Sequence, residues 1–319
     1  MKDCNATPDF FELPIKDRLI SARLLLSLLL AALLAMTVAA NAGAQEPETI
    51  AGGEGLNLAV YEAGNPDGPP IVFIHGLNGN HLAWQLQFSG PLAEEFRLIA
   101  FDLRGHGASD KPLEPEHYTD SALWANDIAA IIDSMNLDRP VLVGWSYGGY
   151  IIADYIRAYG EESLGGLVFA AAVTKMGTEE AQEHLTEEFL GTVGGMFSAD
   201  VATNISATRA FLPLLALEPL DRDSFEVVLS GAMMVPPEIR LAMFSRELDN
   251  DDVLAAIESP TLVVHGAGDR IVRVSSSEHL ADTISWAELF VYDGVGHLPF
   301  LEDAERFDRD LAEFVRGAR

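Results

Sequence analysis

The chain has 319 residues, 49% of them hydrophobic and 22% charged, and its 49 acidic side chains outnumber 20 lysines and arginines to give a net charge of −29. So negative a surface repels the phosphates of nucleic acid and anionic lipid headgroups, which excludes both as partners. The single cysteine, Cys4, stands at the start, so the rest of the chain can form neither a disulfide nor a thiolate metal site.

In chain order, residues 1–44 carry the pattern of an export signal. Lys16, Arg18 and Arg23 precede an apolar run, LLLSLLLAALLAMTVAA (24–40), and Ala42-Gly43-Ala44 forms a small-x-small cleavage site. The expectation is a periplasmic or secreted protein. The alternative is an uncleaved anchor at 24–40, since 17 apolar residues lie at the short edge of a membrane span. That segment is the only expected membrane contact, and nothing in the pattern sets an oligomeric state.

From Gln45 onward strands alternate with helices. LNLAVYEAG (56–64) alternates like a half-buried strand, while PIVFIHG (70–76) and RLIAFDLRG (97–105) are continuous apolar runs suited to central parallel strands. Residues 119–136 place Leu123, Trp124, Ile128, Ile131, Ile132 and Met135 on one helical stripe, with Thr119 or Asp120 as its cap. PVLVGW (140–145) reads as a strand, YGGYIIADYIRAY (147–159) as a helix, and 164–173, 261–266 and 287–294 as further strands before a final amphipathic helix at 302–316. Strands spaced by helices imply an α/β fold, a mostly parallel sheet covered on both faces.

Residues 174–253 break the alternation. They suggest four helices, near 178–190, 199–212, 221–233 and 237–247, with Asp221 as an N-cap and Pro237 in a first turn. Sixteen acidic and five basic residues lie between Thr174 and Pro260. The expectation is a helical cap inserted between two core parts, 45–173 and 254–319; the plainer alternative is ordinary sheet-covering helices. Phe189, Met196, Phe197, Phe211, Leu214, Met233, Met234 and Met243 are candidates to line a pocket beneath it, or simply to pack a core.

The chemistry gathers around GWSYG (144–148). A serine hydroxyl is a weak nucleophile until a base takes its proton and a third group orients the base. It must also project from the fold, which a sharp strand-to-helix turn achieves, and Ser146 stands between the strand ending at 145 and the helix that follows. The base is expected after a late strand, where DGVGHLPFLED (293–303) offers His297. The orienting acid is expected after the preceding strand, where HGAGDRIV (265–272) offers Asp269, with Asp293 as a rival. Two backbone N–H groups should meet the developing oxyanion: that of Tyr147 at the start of its helix, and that of Leu77 in FIHGLNGN (73–80). His75 reads as a brace for that loop; Asp102, Arg104 and His106 as turn residues; His265 as a satisfied core group; His81, His117, His184 and His279 as surface residues. Trp84 and Trp145 either wall the pocket or pack in the core.

Taken together and in this order, HGLNGN, FDLRGHGASD (101–110), GWSYGG (144–149) and the GDRIV and GVGHLPF pair resemble the α/β-hydrolase superfamily over 54–173 and 260–319. The resemblance implies that Ser146 is the nucleophile, His297 the base and Asp269 its orienter, with Leu77 and Tyr147 supplying the oxyanion hole. It implies a serine hydrolase cleaving a carboxylic ester or related acyl bond and says far less about the substrate. The expectation is a small, apolar acyl molecule, since the acidic residues of 174–253 disfavour highly anionic ones. Cofactor-free perhydrolases, lactonases and carbon–carbon bond hydrolases share these motifs, and a ligand receptor can be built on the same scaffold. No metal-binding or nucleotide-binding motif appears, so no metal and no cofactor is implied. Relatives that open epoxides or displace halide carry aspartate where this chain has Ser146, which favours acyl transfer to water.

Overall fold

A computed structural model describes residues 46–318; the leader expected at 1–44 lies outside them. The strands are β1 (Glu48–Ala51), β2 (Asn57–Gly64), β3 (Pro70–Ile74), β4 (Arg97–Phe101), β5 (Val141–Trp145), β6 (Gly166–Ala170), β7 (Lys175–Met176), β8 (Leu248–Asp249), β9 (Thr261–Gly266) and β10 (Ala287–Tyr292). Eight form one sheet in the order β1-β2-β4-β3-β5-β6-β9-β10. The β1–β2 and β2–β4 pairs are antiparallel, and every other pair is parallel.

The central strands are buried on both faces because their side chains alternate between two cores. Val72 and Ile74 of β3 face a cluster that includes Trp124, Ile128 and Ile151 of the helices Ser121–Ser134 and Gly148–Tyr159. Ile71 and Phe73 face the opposite cluster, with Phe307, Leu311 and Val315 of the helix Ala304–Gly317. A period of two thus places successive residues of one apolar run in different layers. Asp120 caps the Ser121–Ser134 helix by accepting from the Ala122 N–H.

Two elements carry no clear sequence signal. β1 has only Ile50 turned inward, too little alternation to announce a strand. The helix Val274–Thr283 buries Ser276, Ser277 and Leu280, so two of its inward positions are serines and no apolar stripe marks it.

Between β6 and β9 the chain forms the helices Glu179–Glu183, Glu187–Val193, Val201–Phe211, Arg222–Met233 and Pro237–Phe244. The single helix expected near 178–190 is two. Leu185 breaks out to make a β-bridge with Val272, and Thr186 caps the second helix by accepting from the Phe189 N–H at 3.2 Å. Asp221 caps the Arg222–Met233 helix through the N–H groups of Asp223 and Ser224. The two-residue strands β7 and β8, absent from the sequence expectation, pair antiparallel and join the two ends of this insertion. Inside it, the buried Arg240 donates to the Met196 carbonyl and to Asn204 Oδ1, both at 3.0 Å, and also to the Ala232 carbonyl.

Candidate active site

Ser146 follows the last residue of β5 and has φ 54°, in the left-handed region that side-chain-bearing residues avoid. Such a conformation costs on the order of 1–3 kcal/mol and persists only where the surroundings over-determine it. Here the backbone does so: Ser146 N–H donates to the Ala170 carbonyl at 3.0 Å, and the Ser146 carbonyl accepts from Val173 and Gly149 at 3.1 and 3.0 Å. The turn is tight enough that a Cβ at Gly148 would lie 2.6 Å from the Ile74 carbonyl oxygen. A Cβ at Gly76 would lie 2.8 Å from the Cβ of Ser146 itself, so the loop after β3 reaches the serine only because it carries glycine there.

His297 is buried, and its Nδ1 lies 2.7 Å from Asp269 Oδ2. A carboxylate accepts, so Nδ1 carries a proton, and in the neutral ring the free lone pair is on Nε2. Asp269 is buried too, and burial by itself would push its pKa up. The charge of His297 and the hydrogen bonds of His265 and His297 outweigh that and hold it well below the usual carboxylate range. Its other oxygen accepts the N–H groups of Ile271 and Val272 at 2.7 and 3.0 Å. Asp293, the rival acid, is exposed.

Leu77, Ser146, Tyr147 and His297 line one cavity of about 50 Å³. Among the described residues the Ser146 hydroxyl and His297 Nε2 have no hydrogen-bond partner, and the N–H groups of Leu77 and Tyr147 have no acceptor. The remaining wall is almost wholly apolar. Phe189 and Phe211 contribute, as the sequence suggests, together with Met176, Leu185, Leu215 and Phe244. Met196, Phe197, Leu214, Met233, Met234 and Met243 lie elsewhere. Trp145 lines the cavity and donates its indole N–H to the His297 carbonyl at 2.9 Å. Trp84 packs between Phe73 and Phe300 in the core, at ring separations of 4.8 and 4.3 Å.

The loop bearing Leu77 is braced from below by two buried histidines. His75 Nδ1 donates to the Gly76 carbonyl at 2.8 Å, and its Nε2 accepts the Leu103 N–H at 3.0 Å. His106 Nδ1 donates to the Arg104 carbonyl, and its Nε2 accepts the Asn78 N–H at 3.3 Å. Each ring needs one protonated and one bare nitrogen, so both are neutral. Burial is the main cause that lowers their pKa values, to about 4 for His75 and about 3 for His106.

His81 departs from the free surface position expected of it, and His265 is the satisfied core group expected, with one contact more. His81 is not a free surface residue: its ring stacks on Tyr61 at 3.5 Å, and its Nδ1 and N–H both meet Asp102 Oδ1 at 2.8 Å. His265 is satisfied in the core, by the Ser277 hydroxyl at 2.7 Å and the Val272 carbonyl at 3.0 Å, but its Nε2 also lies 3.2 Å from Asp269 Oδ2. A histidine inside an apolar strand gives no hint of that contact.

Among the described residues, Glu180, Asp251 and His279 form the one cluster with the spacing to hold a cation. The ammonium of Lys175 is already seated there, 2.6 Å from Asp251 and 2.8 Å from Glu180.

The sequence profile of the alpha/beta hydrolase fold matches residues 69–304, and the chain belongs to that family. It is an enzyme of the hydrolase class. A candidate aryl esterase from Burkholderia cenocepacia is 38% identical, with a TM-score of 0.80 over 85% of this chain and 98% of that one. An esterase from Rhodococcus, RhEst1, is 32% identical, with a TM-score of 0.81 over 86% of this chain and all of its own. A bifunctional esterase/perhydrolase from Acinetobacter calcoaceticus is 27% identical over 83% of this chain and 98% of its own length.

Proposed function

We propose that this protein hydrolyses carboxylic esters of small, apolar acyl groups through an acyl-enzyme on Ser146. The observation that carries the reading is the 2.7 Å bond from His297 Nδ1 to Asp269, with His297 and Ser146 opening onto one cavity beside the unpaired N–H groups of Leu77 and Tyr147. His297 Nε2 takes the hydroxyl proton as Ser146 Oγ attacks the ester carbonyl. The tetrahedral oxyanion forms against the N–H groups of Leu77 and Tyr147, each such donor being typically worth about 3–4 kcal/mol of barrier. The protonated His297 gives its proton to the departing alcohol. Water, deprotonated by the same nitrogen, then attacks the acyl carbon and restores Ser146. Asp269 fixes the tautomer and supports the imidazolium throughout.

Peroxide in place of water at the second step would release a peracid from the same intermediate. The similarity to a bifunctional esterase/perhydrolase favours this as a second activity of the site. We further propose export of the folded domain, the leader being removed after Ala44 or retained as an anchor at 24–40.

A fluorophosphonate probe tests the mechanism. It should label the wild-type chain at Ser146 and leave Ser146→Ala unlabelled. That variant should keep its fold and lose on the order of 10⁶ in kcat toward a short-chain aryl ester. Normal hydrolysis by Ser146→Ala would overturn the assignment.

A further inference from the structure

The backbone of His297 is held from three directions. Its N–H donates to the carbonyl of Leu215 at 2.9 Å, and its carbonyl accepts the Trp145 indole. The residues on either side, Gly296 and Leu298, donate their N–H groups to one oxygen of Glu302, Oε1, at 3.0 and 3.1 Å. The other oxygen, Oε2, accepts the N–H of Leu217 at 2.7 Å. Leu215 and Leu217 belong to the insertion between β6 and β9, whereas Gly296, Leu298 and Glu302 belong to the core segment after β10. The two backbones are in close contact, since a Cβ at Gly296 would lie 2.7 Å from the Leu217 nitrogen. Among the described residues Glu302 pairs with no lysine or arginine; its carboxylate is spent on main-chain donors.

We propose that Glu302 is a positioning residue that makes the seating of His297 depend on the seating of the insertion. The proposal rests on the reading of His297 as the general base. The insertion also supplies Phe189, Phe211, Leu215 and Phe244 to the cavity wall, so an insertion displaced to widen the cavity takes Leu215 away from the His297 N–H and Leu217 away from Glu302. With the cavity open the base keeps the Trp145 indole and the Gly296 and Leu298 bonds to Glu302, but loses its own N–H bond to Leu215 and the tie through Glu302 to Leu217; both return on closure. Base catalysis is confined to the closed form, in which His297 is fully seated.

Glu302→Gln separates this role from ordinary stabilisation. The amide keeps one acceptor for Gly296 and Leu298 but presents N–H groups to Leu217, which breaks the tie to the insertion at nearly constant volume. Glu161 provides the control. It makes the same kind of clamp far from the site, accepting the N–H groups of Glu258 and Ser259 at 2.7 and 3.2 Å. The measurements are kcat and KM on a short-chain aryl ester, the rate of fluorophosphonate labelling at Ser146, and the thermal midpoint. Both variants should lose stability. Only Glu302→Gln should lose kcat and labelling rate together, by roughly 10-fold or more with KM little changed, since misplacing a reacting group by about 1 Å costs up to 10²-fold. Glu302→Asp, one methylene shorter and still charged, should show the same pattern more mildly and serves if the amide variant does not fold. Wild-type kcat and labelling rate in the Glu302 variant that folds would overturn the proposal. Failure of the wild-type protein to label at Ser146 would instead overturn the reading beneath it.

Discussion

At the scale of single residues, the site depends on groups kept in one protonation state by burial. His75 and His106 must be neutral to brace the loop that presents Leu77, and burial lowers their pKa values from 6.5 to about 4 and about 3. The unfolded chain accepts those protons near pH 6.5, so their contribution to stability is complete above that pH and is lost as the pH falls through 4 and 3. Each histidine should contribute a slope of about 1.4 kcal/mol per pH unit in that window. Asp102 adds a later loss: burial opposes its charge, but the hydrogen bond and charge of His81 lower it from 3.8 to about 2. Urea midpoints measured at pH 7, 6 and 5 should fall steadily in the wild type and less steeply in His106→Gln. An equal slope in both would show that His106 does not titrate on unfolding. Ser146, Asp269 and His297 were legible in the sequence because their chemistry demands particular residue types after particular strands. Glu302 and His265 were not, since one acts on backbone N–H groups that any sequence possesses and the other is hidden within an apolar strand.

At the scale of elements, apolar runs announced the buried strands, and a capped stripe announced the Ser121–Ser134 helix. The break between the helices Glu179–Glu183 and Glu187–Val193 was not announced, because its cause is a bridge from Leu185 to Val272, almost ninety residues away. The insertion also decides the size of the cavity. The cavity is narrow, with about 50 Å³ of water-accessible space beside Ser146. Phe244 is partly buried and forms part of the wall beside Phe189, 6.1 Å away, with Phe197 packed against it at 5.1 Å from outside the lining. Phe244→Ala should therefore shift the optimum in an acyl-length series of p-nitrophenyl esters by two or more carbons. Activity on the acetate should fall by less than about 10-fold, because no reacting atom moves. A wild-type optimum at eight carbons or beyond would show that this wall does not limit the chain.

At the scale of the whole molecule, the net charge of −29 governs how the protein meets other molecules more than how it folds. The proposed export is tested by fractionating cells that express the full chain and sequencing the N-terminus of the product. Cleavage predicts a soluble exported protein beginning at Gln45, an anchor predicts a membrane-bound one beginning upstream, and cytoplasmic recovery would overturn the proposal. By itself the sequence determined the α/β class and the order of the central strands along the chain, and it singled out Ser146, Asp269 and His297 as candidates, because periodicity and residue chemistry are local properties. Only the tertiary structure decided the sheet order, which aromatic side chains wall the cavity, that His81 is bound to Asp102, and that Leu215 and Leu217 reach the loop of His297. Those facts depend on backbone and side-chain contacts between segments up to two hundred residues apart, for which no short stretch of sequence carries a signal.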